Sequence, residues 1–200
     1  IQFGNVTRKT HANTSWDQAR FESCGHKWVD VSEGGYGVSL LNDCKYGHSV
    51  KEAEIGLTLI KSGIEPNPDT DNEEHFFTYS LYPHAGTWKE SDTVKEAEML
   101  NQPVLTTLGA AVEPMSFVSS DDDNVIIETV KASEDGKGVV LRVYENQNKR
   151  TNACLTLAHE PKQVYSCNLM EEKEDVLLPC MNKVSFTILP YEIKTLYIEF

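Results

Sequence analysis

Basic side chains are scarce in this 200-residue chain: 18 Lys and Arg stand against 31 Asp and Glu, giving a formal net charge of −13. Phosphate affinity needs clustered cations, so this balance excludes duplex binding and gives no attraction to an anionic membrane surface. Long apolar runs are missing too. No uninterrupted stretch of roughly 18 residues could cross a bilayer as a helix. Cysteine is sparse, at five residues, Cys24, Cys44, Cys154, Cys167 and Cys180. Their odd number, without a Cys-x-x-Cys pair or zinc-finger spacing, disfavours a disulfide scaffold and points to a reducing, cytoplasmic setting. The triplets Asn5-Val6-Thr7 and Asn13-Thr14-Ser15 match glycosylation sequons, which carry no meaning in such a compartment. Several catalytic signatures are absent: no His-x-x-x-His on a helix, no Gly-x-Ser-x-Gly elbow, no glycine-rich phosphate loop and no dinucleotide fingerprint. No internal repeat is evident. An initiating Met is also lacking, and the chain is expected to be an excised piece of a longer polypeptide.

What remains is a soluble, acidic, globular composition with 40% hydrophobic residues, enough to close a core. Short runs alternating with period two predict strands with one buried face. The clearest cover residues 36–41, 55–61, 76–82, 125–131, 139–144, 154–158, 184–189 and 195–200. Turn-forming clusters separate them, and Asp135-Gly136 between two β-branched runs is the strongest hairpin signal. One segment differs: residues 91–100 place Val94, Ala97 and Leu100 at three-residue spacing, which predicts a single short amphipathic helix with Ser91 as its N-cap. Asn101-Gln102-Pro103 then marks a boundary, so residues 1–103 and 104–200 are expected as two β units, the second starting its β structure near Val104. The class predicted is mainly antiparallel β, sandwich on sandwich.

Two loops concentrate polar chemistry. Residues 42–48 combine an amide (Asn42), a carboxylate (Asp43), an ammonium (Lys45), a phenol (Tyr46), a flexible glycine (Gly47) and an imidazole (His48) directly after a strand. Such a set can exchange hydrogen bonds with vicinal hydroxyls and cover a pyranose with an aromatic face; it can equally be a polar turn whose side chains satisfy their own backbone. Residues 66–75 hold four carboxylates between Asp69 and Glu74, Asp71 among them. A calcium loop would want a central glycine, which is missing here, so a solvated acidic turn is favoured. The six histidines form no tight cluster with cysteine, so no metal site is assigned within the chain. Trp16, Phe21 and Trp28 are read as a carbohydrate platform or as core aromatics.

A combination of motifs carries a family resemblance. Ile1-Gln2-Phe3-Gly4, Thr14-Ser15-Trp16-Asp17, Ala19-Arg20-Phe21-Glu22, His26-Lys27-Trp28-Val29-Asp30 and Ser32-Glu33 are followed by Tyr36-Gly37-Val38 and by Leu40-Leu41-Asn42-Asp43-Cys44-Lys45-Tyr46-Gly47. Phe77-Thr78-Tyr79, Leu81-Tyr82-Pro83-His84-Ala85-Gly86, Trp88 and Leu189-Pro190-Tyr191-Glu192-Ile193-Lys194-Thr195 continue the series. Together they resemble the C-terminal β region of glycoside hydrolase family 38 α-mannosidases, the cytosolic and bacterial branch. The resemblance implies a portion of a β-supersandwich of galactose-mutarotase type over residues 1–103, then a small C-terminal β-sandwich over 104–200. It implies a parent enzyme that is a retaining exo-α-mannosidase hydrolysing terminal α-D-mannosyl residues, with its nucleophile, acid and divalent metal, zinc, in an N-terminal catalytic domain. On this reading the fragment holds no catalytic residue and is inactive alone, while Asn42, Asp43, Lys45, Tyr46 and Gly47 line the sugar pocket and Asp69 and Asp71 form a second rim. Its partners are mannosides or oligosaccharides and the N-terminal domain of the same chain, with neither nucleic acid nor membrane. A free-standing carbohydrate-binding sandwich is the alternative function, and an acidic face serving homo-oligomer contacts is a third.

Overall fold

The structure is a computed structural model that describes residues 1–110 and 112–200. It divides into two compact units. One comprises Ile1 with Val6–Thr107, the other Gln2–Asn5 with Leu108–Phe200. The division thus falls four residues beyond the expected boundary, and residues 2–5 fold with the second unit.

The first unit contains two three-stranded antiparallel sheets. In one, β1 (Ser23–Cys24), β4 (Gly47–Lys51) and β5 (Glu54–Leu57) lie in the order β1-β4-β5; in the other, β2 (Trp28–Ser32), β3 (Tyr36–Asn42) and β6 (Tyr79–Ala85) run β2-β3-β6. Two helices accompany them, not one. α1 (Ser15–Gln18) is a single turn closed by a reciprocal capping box, with Thr14 Oγ1 accepting from the Asp17 amide and the Asp17 carboxylate accepting from the Thr14 amide. α2 (Thr93–Asn101) starts one residue later than a Ser91 cap predicts, with Asp92 in the N-cap position. Asp92 makes no side-chain capping bond, whereas Ser91 Oγ accepts from the Thr93 amide at 3.3 Å and also contacts the Trp88 carbonyl and the Thr93 hydroxyl.

A buried polar ladder fixes α2 to the β2-β3-β6 sheet. Asp30 and His84 are joined by a hydrogen bond, Oδ2 to Nε2 at 2.7 Å, with both side chains almost fully buried. Ser39 donates to the same Asp30 oxygen at 2.7 Å, Ser32 donates to the other at 2.8 Å, and Ser39 also lies 2.8 Å from the Thr93 hydroxyl of α2. Gly37, opposite His84 in the register, is required for this arrangement: a Cβ there would collide with the imidazole and stand 2.7 Å from Ser32 Cβ. Lys27 joins the helix from outside, bidentate to Glu98 at 2.8 and 2.9 Å.

Between α2 and Phe117 the described residues contain no strand, and Val104, Leu105 and Leu108 are exposed, so the β structure of the second unit begins later than Val104. That unit is a two-layer sandwich. β7 (Val118–Ser120), β10 (Thr151–Leu157) and β13 (Lys183–Ile188) form a sheet ordered β13-β10-β7. β8 (Val125–Ala132), β9 (Val139–Glu145), β11 (Gln163–Cys167), β12 (Lys173–Leu177) and β14 (Ile193–Glu199) form the other, ordered β12-β11-β14-β9-β8. Inward positions alternate along β10 and β13, so that Ala153, Leu155, Leu157, Val184, Phe186 and Ile188 pack against Leu141, Val143, Val164, Leu196 and Ile198 of the facing sheet. β9 and β14 are buried on both sides because Val140, Tyr197 and Cys167 form a second cluster on the outer face. Lys173 closes that cluster, its ammonium 4.1 Å from the Tyr197 ring centre and 4.5 Å from that of Tyr165.

The predicted Asp135-Gly136 hairpin joins β8 to β9, and Gly136 takes a φ of +68° that glycine adopts without strain. Asp135 Oδ1 accepts from the Tyr197 hydroxyl at 2.7 Å, from Ser133 at 2.7 Å and from the Lys137 amide at 3.0 Å. The Tyr197 hydroxyl is the largest of the influences that lower the Asp135 carboxyl to about 2, with Ser133 and the Lys137 amide following. A carboxylate lowered on folding adds stability above its unfolded value, near 3.9, and that contribution disappears as pH falls toward the folded value. Melting temperature is therefore expected to fall between about pH 4 and pH 2, and Asp135→Asn should flatten that part of the profile; an unchanged slope in the variant would contradict the assignment.

Candidate functional site

The loop after β3 is shaped by its first residue. Asn42 is buried; its Oδ1 accepts from the Lys45 amide at 2.7 Å, its Nδ2 lies 3.4 Å from His48 Nε2, and its carbonyl accepts from Asn101 of α2 at 3.0 Å. The amide side chain turns the chain out of the strand, as asparagine does at such corners. Gly47 is confined by its surroundings, since a Cβ there would stand 2.5 Å from Glu22 Oε1 and 3.1 Å from Thr58 Cβ. His48 is buried and its Nδ1 lies 3.1 Å from the Tyr46 carbonyl; burial is the main influence, and it lowers the imidazole pKa.

Three side chains of the loop reach outward. Asp43 is fastened to residue 78 at both ends, with Oδ2 accepting from the Thr78 amide at 3.0 Å and the Asp43 amide donating to the Thr78 carbonyl at 3.2 Å. Hydrogen bonds from Cys44 and then from the Thr78 amide hold the Asp43 carboxyl below its ordinary range, while Asp43 in turn raises the Cys44 thiol. Lys45 holds its ammonium 5.0 Å from the Phe77 ring centre. Tyr46 is 53% exposed, with its ring edge-on to His26 at 4.9 Å. An anion, a cation and an amphipathic ring are thereby fixed on one turn, a set able to accept from, donate to and stack on a sugar.

Asp69 and Asp71 sit in a turn that is bonded largely within itself. Asn67 Oδ1 accepts from the Asp69 amide, the Asp71 carbonyl is 2.9 Å from His75 Nε2, and Asp71 takes a φ of +58°. The link to the first loop comes from the segment that follows, where Phe76, Phe77 and Thr78 meet Cys44, Lys45 and Asp43. Trp16 and Phe21 are largely exposed, whereas Trp28 packs against Trp88 with ring centres 5.1 Å apart.

The sequence did not place His26 beside Tyr46. Its Nδ1 is buried without a hydrogen-bond partner, its Nε2 lies 3.8 Å from Cys24 Sγ, and its ring forms the inner side of Tyr46. No local signal marks it, because the contact joins segments twenty residues apart. Among the described residues no group of three or more His, Cys, Asp or Glu converges as metal ligands. No helix among them is long and apolar enough to cross a membrane.

Comparison with known proteins decides the family. The model of the glycosyl hydrolases family 38 C-terminal domain matches residues 1–69, and that of the family 38 C-terminal beta sandwich domain matches residues 124–196. The chain belongs to glycosyl hydrolase family 38, as part of its C-terminal region. This family 38 chain is 39% identical over 98% of its length to alpha-mannosidase G of Dictyostelium discoideum, of which it covers 19%. It is 36% identical, again over 98%, to alpha-mannosidase 2C1 of Homo sapiens, of which it covers 20%. It therefore spans about a fifth of the length of the curated relatives it matches. The fold matches the crystal structure of an alpha-mannosidase from Enterococcus faecalis V583 with a TM-score of 0.76, 17% identity, and coverage of 98% of this chain and 23% of that one.

Proposed function

We propose that this chain is the C-terminal β portion of a retaining α-mannosidase that releases terminal α-D-mannosyl residues, supporting the sugar pocket without holding the reacting groups. Identity of 36–39% to proteins named alpha-mannosidases, sustained over 98% of the chain, carries the reading. Retention would require a carboxylate nucleophile and a carboxylic acid on opposite sides of the glycosidic bond. We place both, with a divalent metal that is zinc by the family resemblance, in the N-terminal remainder of the polypeptide. The chain's own contribution is the turn 42–47: Asp43 accepts from sugar hydroxyls, Lys45 donates, Tyr46 offers a ring face, and Asn42 and Gly47 set the shape of the turn. Asp69 and Asp71 form the outer rim. The parent enzyme is placed in the cytoplasm, in keeping with five free thiols.

Aryl α-mannoside hydrolysis by the full-length protein tests the activity; absence of turnover would refute it. In that enzyme Asp43→Ala and Tyr46→Ala are each expected to lower kcat/KM by about tenfold, the scale of one lost hydrogen bond or ring contact of about 1–2 kcal/mol. Unchanged turnover in both variants would remove the turn from the pocket.

A further inference from the structure

The β2-β3-β6 sheet is covered on the side that sequence polarity would leave open. Side chains directly opposite each other in an antiparallel register share a face. The pairings Asp30↔Ser39, Gly37↔His84 and Ser39↔Tyr82 therefore put the buried polar ladder on one face. α2 lies on that face, attached through Thr93 to Ser39. The pairings Val31↔Val38↔Pro83 and Leu40↔Leu81 put the apolar side chains on the other, together with Tyr36 and Tyr79 at its ends. Part of this second face is closed within the unit: Leu40 is buried, and Gly25 approaches Val29 so closely that a Cβ would lie 2.8 Å from its Cγ2. The remainder is open, with Tyr36 53%, Tyr79 56% and Leu81 65% exposed. An antiparallel sheet that turns one face to water alternates polar residues onto it, and this sheet carries no charged side chain there. Contiguous large apolar groups of this kind mark a surface made to be covered.

We propose that the open apolar face of this sheet, centred on Leu81 with Tyr36, Tyr79 and Pro83 around it, docks the part of the same longer polypeptide that precedes Ile1. The proposal rests on the reading that this chain belongs to a protein of its relatives' length. Three observations select this occupant. The chain covers only 19–20% of those relatives, so some four-fifths of such a polypeptide is available to cover the face. The matching family models describe C-terminal domains, which puts that remainder on the N-terminal side. The face also lacks charge in a chain that carries −13, which suits an obligate internal contact better than a separable, charge-steered partner.

The test uses the full-length protein with p-benzoylphenylalanine at position 81, irradiated and mapped by peptide mass spectrometry. A cross-link from position 81 to a peptide N-terminal to Ile1 is expected. A covalent dimer, which would indicate a second copy, or a cross-link confined to residues 1–200 overturns the proposal. Alkylation provides a second measurement that needs no bulky substitution: Leu81→Cys in the full-length protein should react with a maleimide at least tenfold more slowly than Lys137→Cys, on the exposed hairpin. Equal rates overturn the proposal. Aryl α-mannoside turnover on the same preparations separates the two readings. The expected cross-link without turnover refutes the activity alone, and turnover with an exposed Leu81 refutes the docking alone.

Discussion

Replacing Glu145 with Ala is expected to lower the stability of the second unit by about 3–5 kcal/mol, the largest effect foreseen for any single side chain here. Glu145 is fully buried at the end of β9 and serves as an acceptor for groups from three different segments. Its Oε1 accepts from Asn124 Nδ2 at 2.8 Å and from the Gln147 amide at 2.7 Å, and its Oε2 accepts from the Tyr191 amide at 3.0 Å. Burial by itself raises the carboxyl pKa, but the hydrogen bonds from Asn124, Tyr191 and Gln147 outweigh it and leave the group below its ordinary range. Truncation would take an acceptor from the buried Asn124 side chain and remove the bonds to the part-buried Gln147 and Tyr191 amides, and a buried donor left unsatisfied costs more than the bond it made. Tyr191 would lose the contact that holds its φ of +56°, and with it the bond from its hydroxyl to Asn5 at 3.0 Å. Residues 2–5, whose Phe3 packs edge-on against Tyr144 at 5.7 Å, should then detach from the second unit. A drop in melting temperature of about 15 °C or more is expected by calorimetry, at 4–8 °C per kcal/mol for a unit of this size. A drop below about 3 °C would show that the network is dispensable. Glu145→Gln, which keeps an acceptor of the same shape, should recover part of the loss.

Asp30→Ala should act comparably on the first unit, at about 3 kcal/mol, and in a manner that identifies its cause. The carboxylate is the shared partner of His84, Ser39 and Ser32, so its removal leaves a nearly buried imidazole and the inward Ser39 hydroxyl without their acceptor. The effect should travel along the ladder to α2, because Ser39 is also the contact of Thr93. Hydrogen exchange is expected to accelerate over 79–85 and 93–101 while the β9 and β14 amides, in the other unit, keep their protection. Uniform acceleration across both units would contradict this picture. Asp30→Asn keeps one acceptor oxygen and should fall between the two.

Much of the second unit was legible in advance. Strands β8, β9, β10, β13 and β14 lie where period-two alternation puts them, because each has one face against the sandwich core. The departures have physical causes. β12 lies outside the predicted strands, as Lys173, Glu174 and Asp175 break the apolar alternation; it is an edge strand, where charge guards an exposed ladder. β6 was expected at 76–82 and occurs at 79–85, with Pro83 inside it. An edge strand tolerates proline, as one side of its ladder needs no partner. β2 lies outside the predicted strands, and its Asp30 finds its partner, His84 on β6, 54 positions further along the chain.

Among the candidate site residues, the turn around Asn42 was legible as chemistry but not as geometry. Sequence showed which functional groups share a loop; it could not show that Asn42 turns inward, that Asp43 is clasped by Thr78 or that His26 stands behind Tyr46. What the sequence determined by itself is the class of the molecule, mainly antiparallel β, and its membership of family 38, because hydrophobic period and local motifs are properties of neighbours along the chain. Tertiary structure alone decided which acids are buried cornerstones, which face of the first sheet is left uncovered and which of the two units receives residues 2–5. Each of these depends on contacts between residues tens to more than a hundred positions apart, such as Asp30 with His84, Glu145 with Tyr191 and Asn5 with Tyr191, and no local pattern encodes such a pairing.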